Sequence, residues 1–172
     1  MKVAWIVAAT AVALALQTTV ARYVVRGSIA VDLILVVVVY AALAAGPVTG
    51  LLTGTFAGLL QDALSRGTGG IIGIGGLAKT IVGFLTGIVG TQFIVSQSLP
   101  RFIVFFAATL VHAVIFIGLY LILDSRPFGS VYAVFGQALG NALVGVVAFQ
   151  LSELLPGAVE RRRMQRGRVR RD

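Results

Sequence analysis

His112 is the single histidine of this sequence and cysteine is absent, which excludes thiol nucleophiles, cysteine-containing metal sites and any acid–base scheme needing two imidazoles. The motifs of phosphate, ester and peptide chemistry are missing too: there is no HExxH, no GxSxG and no P-loop lysine between its glycines. The stretch IIGIGGLAKT, residues 71–80, is rich in glycine but lacks the GxxxxGK spacing and opens an apolar run, so it reads as packing. No catalytic residue, metal or cofactor is expected. What remains is a set of polar side chains embedded in apolar sequence: Asp32, Asp62, Arg66, Lys79 and His112.

Each of these needs a reason to be there. A charge near the middle of a bilayer costs roughly 2.5 to 3.5 kcal/mol on insertion scales, so Asp62 should have a partner. Arg66 lies one turn on, in the favourable acid-before-base order. Lys79, on the next helix, is the second candidate, because helical side chains tilt toward their own N-terminus and there toward Asp62. Asp32 opens an apolar run and suits a capping role at a helix start. His112 reads as a hydrogen-bonded packing residue, Glu153 as a partner for the basic tail, and Gln137, Asn141 and Gln150 as bridges between helices.

A second pattern has spacing without charge. Gly46, Gly50, Gly54 and Gly58 recur every four residues through GPVTGLLTGTFAGLLQD, and Gly83 with Gly87 and Gly136 with Gly140 repeat the step. Glycine costs a helix roughly 1 kcal/mol relative to alanine, so a run of them needs an offsetting gain. Close backbone approach supplies it, since in lipid no hydrophobic effect drives helices together. Each four-residue step turns about 40°, so Gly46 to Gly58 should sweep about 120°, enough to serve two neighbouring helices.

The elements that must hold these residues follow from composition. The 172 residues are 58% hydrophobic and 12% charged, with a mean hydropathy of +1.00, far from the roughly 25% charged of soluble domains. Apolar runs bounded by charge, glycine or proline give six candidate helices, at about 3–20, 30–45, 47–65, 71–95, 100–123 and 131–155. The fold expected is an all-α integral membrane protein, a compact bundle of about six transmembrane helices over residues 1–158, followed by a basic cytoplasmic tail at 159–172. The first run is expected to stay as a helix and not to be removed as a signal peptide.

The net charge of +8 could suggest nucleic acid, but seven of the fourteen basic residues lie in the last twelve positions, beside a membrane helix. Such a run sets topology or meets anionic lipid, and no nucleic-acid binding is expected. With six spans, Lys2, Arg101 and the tail arginines fall inside, against Arg22, Arg26, Arg66 and Arg126 outside. Both termini are therefore expected in the cytoplasm.

The run VDLILVVVVYAALAAGPVTGLLTGTFAGLLQDALSRGTGGIIGIGGLAKTIVGFLTGIVG resembles the core of the rod shape-determining MreD family. The matching features are Asp32 and Leu33 opening one helix, Gly46 through Gly58 in the next, Asp62 closing it, Gly69 and Gly70 in the loop, then Leu77, Gly83 and Gly87. The resemblance implies a multi-pass subunit of the bacterial inner membrane, part of the elongation machinery for peptidoglycan and without catalytic activity of its own. It implies direct contact with MreC and, through the same complex, with MreB, RodA and the elongation penicillin-binding protein. The family is also similar in six-helix shape to the substrate-binding components of energy-coupling-factor transporters, which makes a small-molecule-binding component the alternative. The two differ in need: a transporter component requires a cavity with convergent polar groups, a scaffold an apolar or small-residue face for another helix.

Overall fold

In lipid a chain must satisfy its own backbone, so even a run as rich in β-branched residues as LILVVVVYAALAA becomes helix here, where a soluble setting would favour a strand. The computed structural model describes residues 2–24, 31–64, 72–93, 97–123 and 130–168. The order is α1 Lys2–Val24, α2 Leu33–Ala45, α3 Pro47–Leu64, α4 Ile74–Gln92, α5 Ser98–Ile122 and α6 Val131–Arg168. All regular structure among the described residues is helical. The helical backbone of α6 runs past 155, where the apolar run ends, to Arg168.

Among the described residues, three segments are long and apolar enough to cross a membrane: Ile74–Gln92, Ser98–Ile122 and Val131–Glu153. Helix α2 is different. Its 13 residues reach only about 20 Å, short of a hydrocarbon core of about 30 Å. It packs against all five other helices. Ile34, Leu35, Val36, Val38, Val39, Ala41 and Ala42 are buried on every side of it. One core cluster joins Leu35, Val36 and Val39 to Val82, Phe105, Ala108 and Ala142. Another joins Ile34 and Val38 to Ala13 and Ala57. Large apolar side chains such as Trp5, Phe56, Phe84, Val114 and Leu143 point outward, the arrangement a lipid-facing surface requires.

The glycine spacing brings α3 and α4 into antiparallel backbone contact. A Cβ added at Gly50 would fall on the Gly83 carbonyl, one at Gly54 on the Lys79 carbonyl, and one at Gly58 would stand 2.6 Å from Gly76 Cα. At the other end of α4, a Cβ on Gly87 would strike Pro47. The Thr55 and Thr80 hydroxyls, 2.9 Å apart, bridge the same interface.

Two expectations about the glycines change. The stripe serves chiefly one neighbour, α4, with Gly50 alone also meeting a second helix through Ala42 of α2. Gly46 is also a turn residue: it caps α2 at φ 90°, in the left-handed region, where a Cβ would meet nothing within 4 Å, while its own backbone carbon would stand 2.8 Å from a Cβ on Gly87. Its N–H donates to the Ala42 carbonyl at 2.9 Å, and Pro47 then opens α3. At Gly140 an added Cβ would stand 2.9 Å from Val31 Cγ2, just ahead of α2.

Candidate functional site

A helix start exposes backbone N–H groups without intrahelical partners, and inside a bundle no bulk water can satisfy them. Helix α2 begins in such a place. Asp32, its N-cap, is 5% exposed, and Oδ1 accepts from the Leu35 N–H at 3.0 Å. The Ile34 N–H donates to Gln17 Oε1 of α1 at 3.3 Å, and the Asp32 N–H donates to Asn141 Oδ1 of α6 at 2.9 Å. Asn141 in turn donates through Nδ2 to Thr109 Oγ1 of α5 at 3.1 Å, and that hydroxyl donates to the Phe105 carbonyl at 2.9 Å. Asn141 and Thr109 are each 1% exposed, so neither has water to fall back on.

The carboxylate also carries the charge of the junction. Lys79 Nζ of α4 lies 2.8 Å from Asp32 Oδ2, with both side chains buried. Gln61 Nε2 of α3 reaches Oδ1 at 3.5 Å. On its other side Lys79 Nζ lies 3.4 Å from His112 Nε2 of α5. An ammonium can only donate, so this ring nitrogen is the acceptor and the imidazole is neutral. Its ring stacks on Phe116, with centroids 5.8 Å apart. Side chains from all the other helices thus converge on the first turn of α2, where Gln61 Oε1 is buried without a hydrogen-bond partner.

The sequence-based pairing of Asp62 is therefore corrected. Lys79 belongs to Asp32, and Asp62 ties α3 to α4 by another route. Gly73, the N-cap of α4 at φ 102°, has no side chain to cap the helix. Asp62 does it from α3, with Oδ2 accepting from the Gly73 N–H at 2.9 Å and the Gly76 N–H at 3.0 Å. A Cβ at Gly75 would collide with Asp62 Oδ1, so glycine there makes room for the carboxylate. Arg66 lies outside the described residues. The capping role expected of Asp32 is present, and His112 is the hydrogen-bonded packing residue expected, with Lys79 as its partner.

At the opposite end of the bundle a second polar contact joins α5 and α6. Arg101 pairs with Glu153 and lies over the Phe149 ring, 4.6 Å from its centroid. Glu153 thus pairs with α5, where the sequence reading placed it with the tail. Gln150 bridges to Ser98 Oγ at 3.4 Å as expected of an interhelical glutamine. Between α4 and α5 runs an open cleft of about 280 Å³, lined by Val82, Leu85, Val89, Ile103, Ala107 and Val111 among others, with Thr86 at its wall. It is apolar and separate from the Asp32 cluster.

Gln17, Gln61 and Thr109 were not singled out from the sequence. A glutamine near the end of an apolar helix is common enough to carry no signal. The usable clue lay in α2, a short helix whose buried start needed donors and acceptors from elsewhere.

These features define a class: a helical membrane protein built around a short central helix, with Asp32, Lys79, His112 and Asn141 bonded within its interior and no catalytic constellation among the described residues. The sequence matches the family described as rod shape-determining protein MreD over residues 1–155. The chain belongs to that family, whose role is rod shape determination. No curated protein and no solved structure gives a significant match.

Proposed function

We propose that the chain is a non-catalytic subunit of the bacterial cell-elongation complex, resident in the inner membrane, which binds MreC and supports peptidoglycan synthesis by holding partners together. MreB filaments, RodA and the elongation penicillin-binding protein are the further members of that assembly. Six crossings with both termini in the cytoplasm fit the arginine-rich end of the sequence. In that arrangement Asp32 and Asp62 lie toward the periplasmic side, and Arg101 and Glu153 toward the cytoplasm.

The observation that carries this reading is the family match over residues 1–155. The chemistry of the interior supports it against the transporter alternative. A ligand-binding component needs a cavity into which polar groups point. Here Asp32, Lys79, His112 and Asn141 are bonded to one another, and the cleft between α4 and α5 offers a ligand little beyond apolar side chains.

Depletion in a rod-shaped host, with purification of the tagged protein in mild detergent, tests the reading. Rounded cells and copurifying MreC are expected. Cells that keep their shape, or a stoichiometric vitamin-like ligand in place of MreC, would overturn it.

A further inference from the structure

The seam between α4 and α5 is closed at depth and open at the surface. Val82 and Ala108 are buried in one cluster with Phe105 and form the floor of the cleft, while Leu85, Ile103, Ala107 and Val111 are exposed at its mouth. Its volume of about 280 Å³ is nearly twice the roughly 150 Å³ of an apolar cavity that accepts a benzene-sized group. Apolar side chains of a neighbour can therefore enter while the floor stays packed.

Thr86 is the one polar side chain among the residues lining the cleft, and it is only 5% exposed. A threonine inside a helix readily bonds back to the carbonyl four residues earlier, as Thr10, Thr19, Thr49, Thr55, Thr80 and Thr109 do here. Thr86 makes no such bond, and its hydroxyl has no hydrogen-bond partner among the described residues. Depth selects what can meet it. Helix α4 has 19 residues, about 28 Å, close to the hydrocarbon thickness of about 30 Å, and Thr86 lies about 9 Å in from the end at Gln92. An acyl chain at that depth offers neither donor nor acceptor, and the polar headgroups lie outside. Another protein helix offers both, as a Ser or Thr hydroxyl or as a carbonyl laid open by glycine.

On the reading above, that the chain holds partners together in the membrane, we propose that the cleft between α4 and α5 seats a transmembrane helix of MreC. That helix inserts apolar side chains between Leu85 and Ile103 and supplies the hydroxyl or carbonyl that Thr86 lacks. The seat is made of shape and one hydrogen bond, and needs no charge.

The test compares one change at two exposed alanines, Ala107→Phe inside the cleft and Ala11→Phe on α1, which packs against α2 and α3. Each tagged chain is coexpressed with full-length MreC and purified in mild detergent. Ala107→Phe should lose most of the copurifying MreC with its thermal midpoint unchanged, and Ala11→Phe should keep it. Thr86→Val, which preserves shape and removes the hydroxyl, should weaken MreC binding in a nanodisc titration by about threefold, the size of an average interhelical hydrogen bond in lipid. Undiminished MreC with Ala107→Phe would overturn the seat. So would a lipid that the unsubstituted chain retains and Ala107→Phe displaces while MreC stays bound. MreC missing from every preparation, the unsubstituted chain included, would overturn the functional reading and this proposal with it. Should Ala107→Phe lower the thermal midpoint, benzoylphenylalanine in place of Ile103 or of Val12 decides: photo-cross-links to MreC are expected from the first and not the second, and the reverse would contradict the seat.

Discussion

Helix α4 has two neighbours and is held to them by opposite means. Toward α3 it presents Gly76, Gly83 and Gly87, and the backbones touch through positions where no Cβ fits. Toward α5 it buries Val82 in one cluster with Phe105 and Ala108, presents Leu85 and Val89 to a cleft, and makes the Lys79–His112 contact at one end. The first interface is made of shape and tolerates no added atom. The second is made of side chains and charge.

Substitutions on the two sides of α4 should differ in their cost. Gly54→Leu should have the largest effect, because its side chain would have to displace the Lys79 backbone, and no flexible group there can give way. Folded, monodisperse protein in detergent should be lost, and normal yield would show that the α3–α4 contact is looser than described. Lys79→Met comes next. It leaves Asp32 charged and buried without its ammonium, a change worth about 3–5 kcal/mol in buried pairs. It should appear as a large fall in thermal midpoint, while α3 stays packed on α4 as read by disulfide trapping of cysteines placed across that interface.

Asp62→Ala should cost less, about 1–2 kcal/mol, as expected for a lost N-cap acceptor. Its two N–H donors sit at a half-buried helix start, and hydrogen exchange should quicken at Gly73 and Gly76 before the rest of α4. Gly118→Ala is the smallest and has the opposite sign. Nothing lies within 4 Å of a Cβ there, so the better helix former should leave stability unchanged or raise it by up to about 1 kcal/mol. A loss at Gly118 would mean that this face of α5 is already occupied by a partner.

The same contrast marks what could be read from the sequence. The number of helices and the role of Gly50, Gly54 and Gly58 were legible because their cause is local and periodic: a four-residue step on one helix has few other uses. Asp32 as a helix cap was legible for the same reason. The partner of Lys79 was not, since side-chain tilt and proximity in sequence both favoured Asp62. That carboxylate turned out to be satisfied by the unfilled N–H groups of Gly73 and Gly76, a demand hidden until the start of α4 was placed. The Asn141–Asp32 bond joins residues 109 positions apart, and no spacing rule reaches that far. The short length of α2 was the physical reason for the whole cluster, but the apolar run alone does not reveal that its first turn is buried.

A pair of double-mutant cycles in thermal stability tests most directly that the start of α2 is the polar centre of the bundle. Lys79→Met is combined with Asp32→Asn in one cycle and with Asp62→Ala in the other. The Asp32 cycle should show coupling well above about 0.5 kcal/mol, with the double variant recovering part of the loss caused by Lys79→Met, while the Asp62 cycle should be additive within that margin. Coupling with Asp62 and additivity with Asp32 would contradict the assignment and would move the charge centre to the α3–α4 end.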